Sequence, residues 1–129
     1  MSKEAKIFRI FVPVTDFDRS VAFYQSLLDD DGRLIHRGRQ YFDCGPVILA
    51  VIENSGSPIS DHVYFSVANL DSFFRRATEL KCLETDSVHG APSGEIHRRP
   101  WGERSFYVRD PDGNGLCFVD ESTLFLGVE

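Results

Sequence analysis

Trp101-Gly-Glu-Arg-Ser-Phe-Tyr-Val-Arg-Asp-Pro-Asp-Gly-Asn-Gly-Leu-Cys-Phe118 is the stretch on which the fold turns. Its apolar runs, Ser105 to Val108 and Leu116 to Phe118, flank Asp110-Pro-Asp-Gly-Asn114, a cluster of strong turn formers, and so predict a β-hairpin. The Asp110 side chain is suited to bonding backbone two residues on, Pro111 presets φ for a turn corner, and Gly113 and Asn114 tolerate positive φ. A hairpin of this kind says nothing about activity until the rest of the chain supplies its partners.

Working outward, the chain contains the same pattern twice. Ile7 to Val14 alternates as a strand, Asp16 stands where a helix N-cap belongs, and Phe17, Val21, Tyr24 and Leu28 recur at helical spacing. Asp29-Asp-Asp-Gly32 stops that helix near Leu28, with Gly32 expected to supply the C-terminal turn. Short strands follow at Arg33 to Arg37, Gln40 to Cys44 and Pro46 to Ile52, and Asn54-Ser-Gly-Ser-Pro58 reads as a linker. His62 to Val67 then forms a strand, Asn69 a cap, and Leu70, Phe73, Phe74, Ala77 and Leu80 a helical stripe. Placing Arg9 on His62 brings Val14 onto Val67, Asp16 onto Asn69, Phe17 onto Leu70 and Leu27 onto Leu80. The chain is therefore an internal repeat of a β-α-β-β-β unit, over about residues 5–54 and 61–121 of a single domain 1–129. The second unit carries a longer, less regular insertion, Glu84 to Gly94, before Glu95-Ile-His-Arg-Arg99 and the hairpin. The fold class is α+β. Each sheet has one face under its helix and one uncovered, so two such sheets are expected to curve around a cleft, within one chain or across a homodimer.

A chain of 129 residues can bury a core without staples, and 42% hydrophobic against 26% charged residues is ordinary globular composition. No apolar run approaches the ~20 residues that span a bilayer, and no apolar segment follows the charged N-terminus, so neither membrane nor secretory signal is expected. Cys44, Cys82 and Cys117 are odd in number and lack a C-x-x-C spacing, which fits reduced thiols in a cytoplasm. A net charge of −6 and a pI near 5.1 argue against nucleic acid. Arg37, Arg39, Arg98, Arg99 and Arg104 are expected on solvated faces or paired with the acidic excess.

Trp101-Gly102, the Phe106-Tyr107-Val108 strand and Asp110-Pro-Asp-Gly-Asn114, with Asp16-Phe-Asp-Arg-Ser-Val-Ala-Phe-Tyr24 before them, resemble the glyoxalase/bleomycin-resistance/dioxygenase superfamily, the vicinal oxygen chelate proteins. The resemblance covers nearly the whole chain. It implies a divalent metal held by His or Gln, Glu, His and Glu from the first and last strands of each unit, with open positions for substrate oxygens. The matching positions here are Arg9, Ala50, His62 and Cys117. Only His62 is a usual ligand. Arg9 stays protonated, Ala50 has no donor, and Cys117 offers at most a soft thiolate. Metal chemistry at that site is not expected, and a lone His at a strand start is more often a hydrogen-bonded structural residue.

What remains is a metal-free site for a small molecule. Arg9, His62, Trp101, Tyr41, Phe42 and Cys117 are its expected ligand-binding residues, with Tyr64, Phe106, Asp43 and Glu53 nearby candidates. Trp101 leads, since in the bleomycin-resistance branch an equivalent Trp-Gly lies beside the drug groove in proteins that also lack the metal ligands. The reading is a cytoplasmic, homodimeric small-molecule-binding protein, sequestering an antibiotic or metabolite, without a cofactor. Its rival is a lyase, isomerase or dioxygenase in which His62 works with non-standard ligands to zinc, nickel, iron or manganese, or with Glu53 as a metal-free acid–base pair. His89, Glu95 and His97 form a further potential donor set if their loop closes over the site, and His36 lies outside the ligand positions.

Overall fold

The computed structural model describes residues 5–56 and 59–127. The backbone divides into two compact units that meet between Ile59 and Ser60. In the first, β1 (Arg9–Val14) runs parallel to β4 (Val47–Glu53), so no tight turn can join them. Helix α1 (Phe17–Leu28), β2 (Arg33–His36) and β3 (Arg39–Cys44) carry the chain across, and the sheet order is β1-β4-β3-β2. The Asp16 side chain accepts from the Arg19 amide at 3.2 Å, as an N-cap should. The C-terminal end differs from the sequence expectation. Asp29, not Gly32, takes the left-handed cap at φ 51°, with its amide bonded to the Gln25 carbonyl. Gly32, also at positive φ, is needed for close approach instead: a Cβ there would lie 2.7 Å from the Tyr41 carbonyl oxygen and 2.8 Å from the Phe42 ring.

The alternation of β1 sends Val12 and Val14 under α1, where they meet Tyr24, Leu27, Leu49 and Val51, all fully or almost fully buried. Phe42 joins them, fully buried with its ring 6.2 Å from that of Tyr24. This corrects its expected place beside a ligand. Neighbouring Tyr41 points the other way, in a row with Ala50 and Phe11 across the open face. The edge strand β2 pairs only with β3, with a register shift between Leu34 and His36, and all four of its residues are exposed.

The second unit repeats the plan. Here β5 (Val63–Val67) is parallel to β10 (Gly115–Asp120), β9 (Arg104–Arg109) is antiparallel to β10, and β8 (His97–Arg98) forms the far edge. Helix α2 (Leu70–Leu80) is capped by Asn69, which accepts from the Ser72 amide at 3.1 Å. Under it the Phe118 ring stacks on Phe65 and Phe73 at 5.0 Å each and on Phe106 at 5.5 Å. The Glu84–Gly94 insertion is more ordered than its composition suggests. Ser87–Val88 (β6) and Ala91–Pro92 (β7) form a small ribbon closed by His89 and Gly90, both at positive φ, 50° and 80°. Two consecutive positive values make the tight primed turn that suits a twisted hairpin.

The closing hairpin holds by the chemistry read from its residues, with one change. Asp110 Oδ1 accepts from the amides of Asp112 at 2.9 Å and Asn114 at 2.8 Å. Gly113 takes positive φ at 91°, whereas Asn114 does not. Asn114 is fully buried and works through its side chain instead: Nδ2 donates to Asp110 Oδ2 at 2.8 Å, and Oδ1 accepts from the Ser60 amide at 2.7 Å. It clamps the turn to the start of its own unit. No helix among the described residues is long and apolar enough to cross a membrane.

Candidate functional site

On the open face of the second sheet, register places Tyr64, Cys117 and Tyr107 in one row and Gly115 opposite Arg109 in the next. His62 sits just before β5 and leans over Gly115, where a Cβ would come within 2.7 Å of His62 Cδ2 and 2.9 Å of Arg109 Nη1. The absent side chain is what lets these two groups converge. Both engage one carboxylate: His62 Nε2 lies 2.9 Å from Glu84 Oε2, and Arg109 Nε donates to the same oxygen at 2.8 Å. The Glu84 side chain is 8% exposed. The His62 ring meets Tyr107 edge-on at 5.0 Å. Glu84 and Arg109 were not singled out in the sequence, because their meeting depends on pairing between distant segments: the Glu84 amide bonds the Tyr107 carbonyl, and the Arg109 amide bonds that of Cys82. Glu84→Gln is expected to cost about 1 kcal/mol in urea unfolding, near the range of exposed pairs and below that of fully buried ones because Arg109 is 41% exposed.

Deeper on the same face, Tyr107, Cys117 and Val119 form a buried cluster covered by Val88 of the β6–β7 ribbon. Burial pushes the Tyr107 hydroxyl well above its ordinary range and the Cys117 thiol up to about 12. Hydrogen bonds to Ser105 and Tyr107, and the Arg99 cation, act on the thiol in the opposite direction without prevailing. Burial likewise raises Cys44 and Cys82 to about 11. None of the three is set up as a thiolate at neutral pH.

Arg99 departs from expectation. It is 2% exposed, and among the described residues no carboxylate bonds it. Its Nε donates to Ser105 Oγ at 3.0 Å, and Nη2 donates to the carbonyls of Ser105 at 2.9 Å and Glu95 at 3.2 Å. Its guanidinium carbon lies 5.2 Å from the Tyr107 ring centroid. Arg104, by contrast, pairs with Asp120 at 2.9 Å, as the acidic excess suggests.

On the open face of the first sheet, the Tyr41 ring has guanidinium carbons of Arg9, Arg33 and Arg39 at 5.6, 5.8 and 6.0 Å. Arg33 is held by Asp43 at 2.7 Å, a hydrogen bond that raises the arginine's pKa and lowers the carboxylate's. Glu53 ends β4 exposed, beside a shallow depression of about 370 Å³ that it lines with Thr15, Asp16, Phe17 and Arg37. Trp101 is half-buried, donating Nε1–H to Glu103 at 2.7 Å with its ring 5.1 Å from His89. His97 lies 3.5 Å from Glu95, while His89 is drawn off to the indole. His89, Glu95 and His97 therefore do not converge as one donor set, and no group of three or more His, Cys, Asp or Glu able to hold a metal is present among the described residues.

The repeated units, the parallel first and last strands in each and the clamped hairpin are matched by family: residues 6–118 fit the Glyoxalase/Bleomycin resistance protein/Dioxygenase superfamily. The chain belongs to that superfamily. Among solved structures it is similar to the oxidase ChaP-H1, at 26% identity with a TM-score of 0.76 over 96% of this chain and 99% of that one. It is also similar to a glyoxalase/bleomycin resistance protein from Catenulispora acidiphila (21%, TM-score 0.69, 90% and 98% covered). A lactoylglutathione lyase from Agrobacterium tumefaciens matches at 23%, TM-score 0.67, with 92% and 96% covered.

Within the superfamily fold, the repeat can be checked by register. Phe11 opposes Ala50 as Tyr64 opposes Cys117, and Tyr41 opposes Ala50 as Tyr107 opposes Cys117. Positions 50 and 117 are thus equivalent by register. The donors at those positions do not fit a divalent ion. Ala50 offers no atom, Arg9 brings a fixed cation, Cys117 offers one buried thiol in place of a carboxylate, and His62 Nε2 is engaged by Glu84.

Proposed function

We propose that this superfamily chain binds a small molecule without the metal chelate, sequestering it in the manner of the bleomycin-resistance type. The observation that supports this most is the ligand set itself: one donor tied into the Glu84–Arg109 ion pair, one buried thiol, one alanine and one arginine. Its candidate binding residues fall into two separate sets, Tyr41 with Arg9 on the open face of the first sheet and His62, Cys117 and Trp101 on the second unit; Phe42 is a core residue. Trp101→Ala should weaken binding of a compound found by screening antibiotics and metabolites about ten-fold, with the melting temperature nearly unchanged. An unchanged affinity would take the indole out of the site. The same reading expects a homodimer in a reducing cytoplasm, and a monomer mass by light scattering would refute the first part.

A second reading has one observation in its favour. A histidine whose nitrogen is oriented by a buried carboxylate is the arrangement of a general base, and the similar ChaP-H1 structure is named an oxidase. Metal content of the native protein, with thermal shifts on nickel, zinc, iron and manganese, separates the two. Near-stoichiometric metal lost in His62→Ala would overturn the metal-free proposal; substrate turnover abolished by His62→Ala without metal would establish acid–base catalysis.

A further inference from the structure

Arg99 carries a positive charge where the hydrogen-bond partners of its guanidinium, among the described residues, are all neutral. Nε and Nη2 are committed to Ser105 and to the Glu95 carbonyl, but Nη1 is buried and makes no hydrogen bond. Those are two N–H donors sealed from water. A buried cation with two N–H groups unbonded and no carboxylate bonded to it is a costly arrangement, and a native protein retains one where something else satisfies it. The Tyr107 ring face, 5.2 Å from the guanidinium carbon, offers partial compensation.

We propose that Arg99 Nη1 is the anion-recognising point of the small-molecule site on the second unit, and that the ligand it receives is a carboxylate on a planar aromatic body. A carboxylate oxygen matches an in-plane guanidinium N–H in charge and geometry, and such charge-assisted bonds are the stronger kind. The aromatic body is argued from the surroundings: Tyr107 beneath Arg99 and the half-exposed Tyr64, whose rings stand edge to face at 6.3 Å. Val88 covers the same cluster, so the proposal requires the β6–β7 ribbon to move aside for entry. This site rests on the small-molecule reading above and narrows it to a ligand class.

The test compares benzoate with benzyl alcohol by calorimetry, using the fluorescence of Trp101, the sole tryptophan, as a second readout. Benzoate should bind at least ten-fold more tightly, and Arg99→Met should erase the preference. Should Arg99→Met fail to fold by circular dichroism, Arg99→Lys keeps the charge without the fork and should retain a smaller preference. Equal affinity for acid and alcohol, or a preference that survives in Arg99→Met, overturns the anion site while leaving small-molecule binding intact. A preference lost in Arg9→Met but kept in Arg99→Met also overturns it, moving the anion to the first unit. If neither compound binds, this site falls, whereas the broader proposal falls only if the whole screening panel fails.

Discussion

Phe118→Ala should lower the unfolding free energy by about 3–5 kcal/mol, read from the urea midpoint at an unchanged slope. The ring is fully buried and lies at the centre of a four-phenylalanine stack, with Phe65 and Phe73 on it at 5.0 Å and Phe106 at 5.5 Å. Truncation removes transfer energy and also leaves a void between α2 and its sheet that three rigid rings cannot readily close. Phe74, which is only partly buried and touches Phe106 edge-on at 5.2 Å, should lose clearly less when cut to alanine. Similar losses at the two positions would mean that the stack is not the centre of this unit's stability.

The second large effect is alkaline. The Cys117 thiol has an ordinary value of 9.0 and is held at about 12 by burial, so in the window between them the unfolded chain gives up its proton first. The stability tied to the neutral thiol is fully present below pH 9 and is lost as pH rises toward the folded value. The slope is about 1.4 kcal/mol per pH unit for one thiol. Cys44 and Cys82 act in the same direction between 9.0 and about 11. Urea unfolding at successive pH values through this window should show the decline, and Cys117→Ala should flatten it even if it lowers stability throughout. An undiminished slope in the variant would mean the native thiol ionises as freely as the unfolded one.

The parts of the fold legible in sequence were those written locally and twice. Asp16 and Asn69 both cap their helices through the amide three residues on, since a short acceptor before an apolar stripe is a signal within one turn. The closing hairpin was equally local. The site was less legible because it is assembled from parity and distant pairing. Tyr41 and Phe42 were both expected beside a ligand, yet adjacent strand residues face opposite ways, so burying Phe42 on Tyr24 sends Tyr41 alone to the open face. Arg98 and Arg99 read alike in sequence, but Arg98 is exposed and Arg99 is sealed against Ser105. Glu84 reaches His62 and Arg109 only because the segment after α2 pairs beside β9, which no spacing rule encodes. The Val88-His-Gly-Ala91 turn was readable in principle, since residues that tolerate positive φ at both central positions mark a tight hairpin.

The outer strand β2 has a consequence for solubility. An edge strand presents a row of unused backbone donors and acceptors that another chain can extend into a longer sheet, and Leu34 and Ile35, 63% and 42% exposed, would make such an addition adhesive. Three features blunt that template. The strand spans four residues, Arg33 and His36 bracket the apolar pair, and the shift in register after Leu34 interrupts the regular ladder a newcomer would extend. The irregularity in the pairing therefore serves as protection against sheet-to-sheet aggregation, and straightening it or neutralising Arg33 would leave the chain more prone to fibrous association.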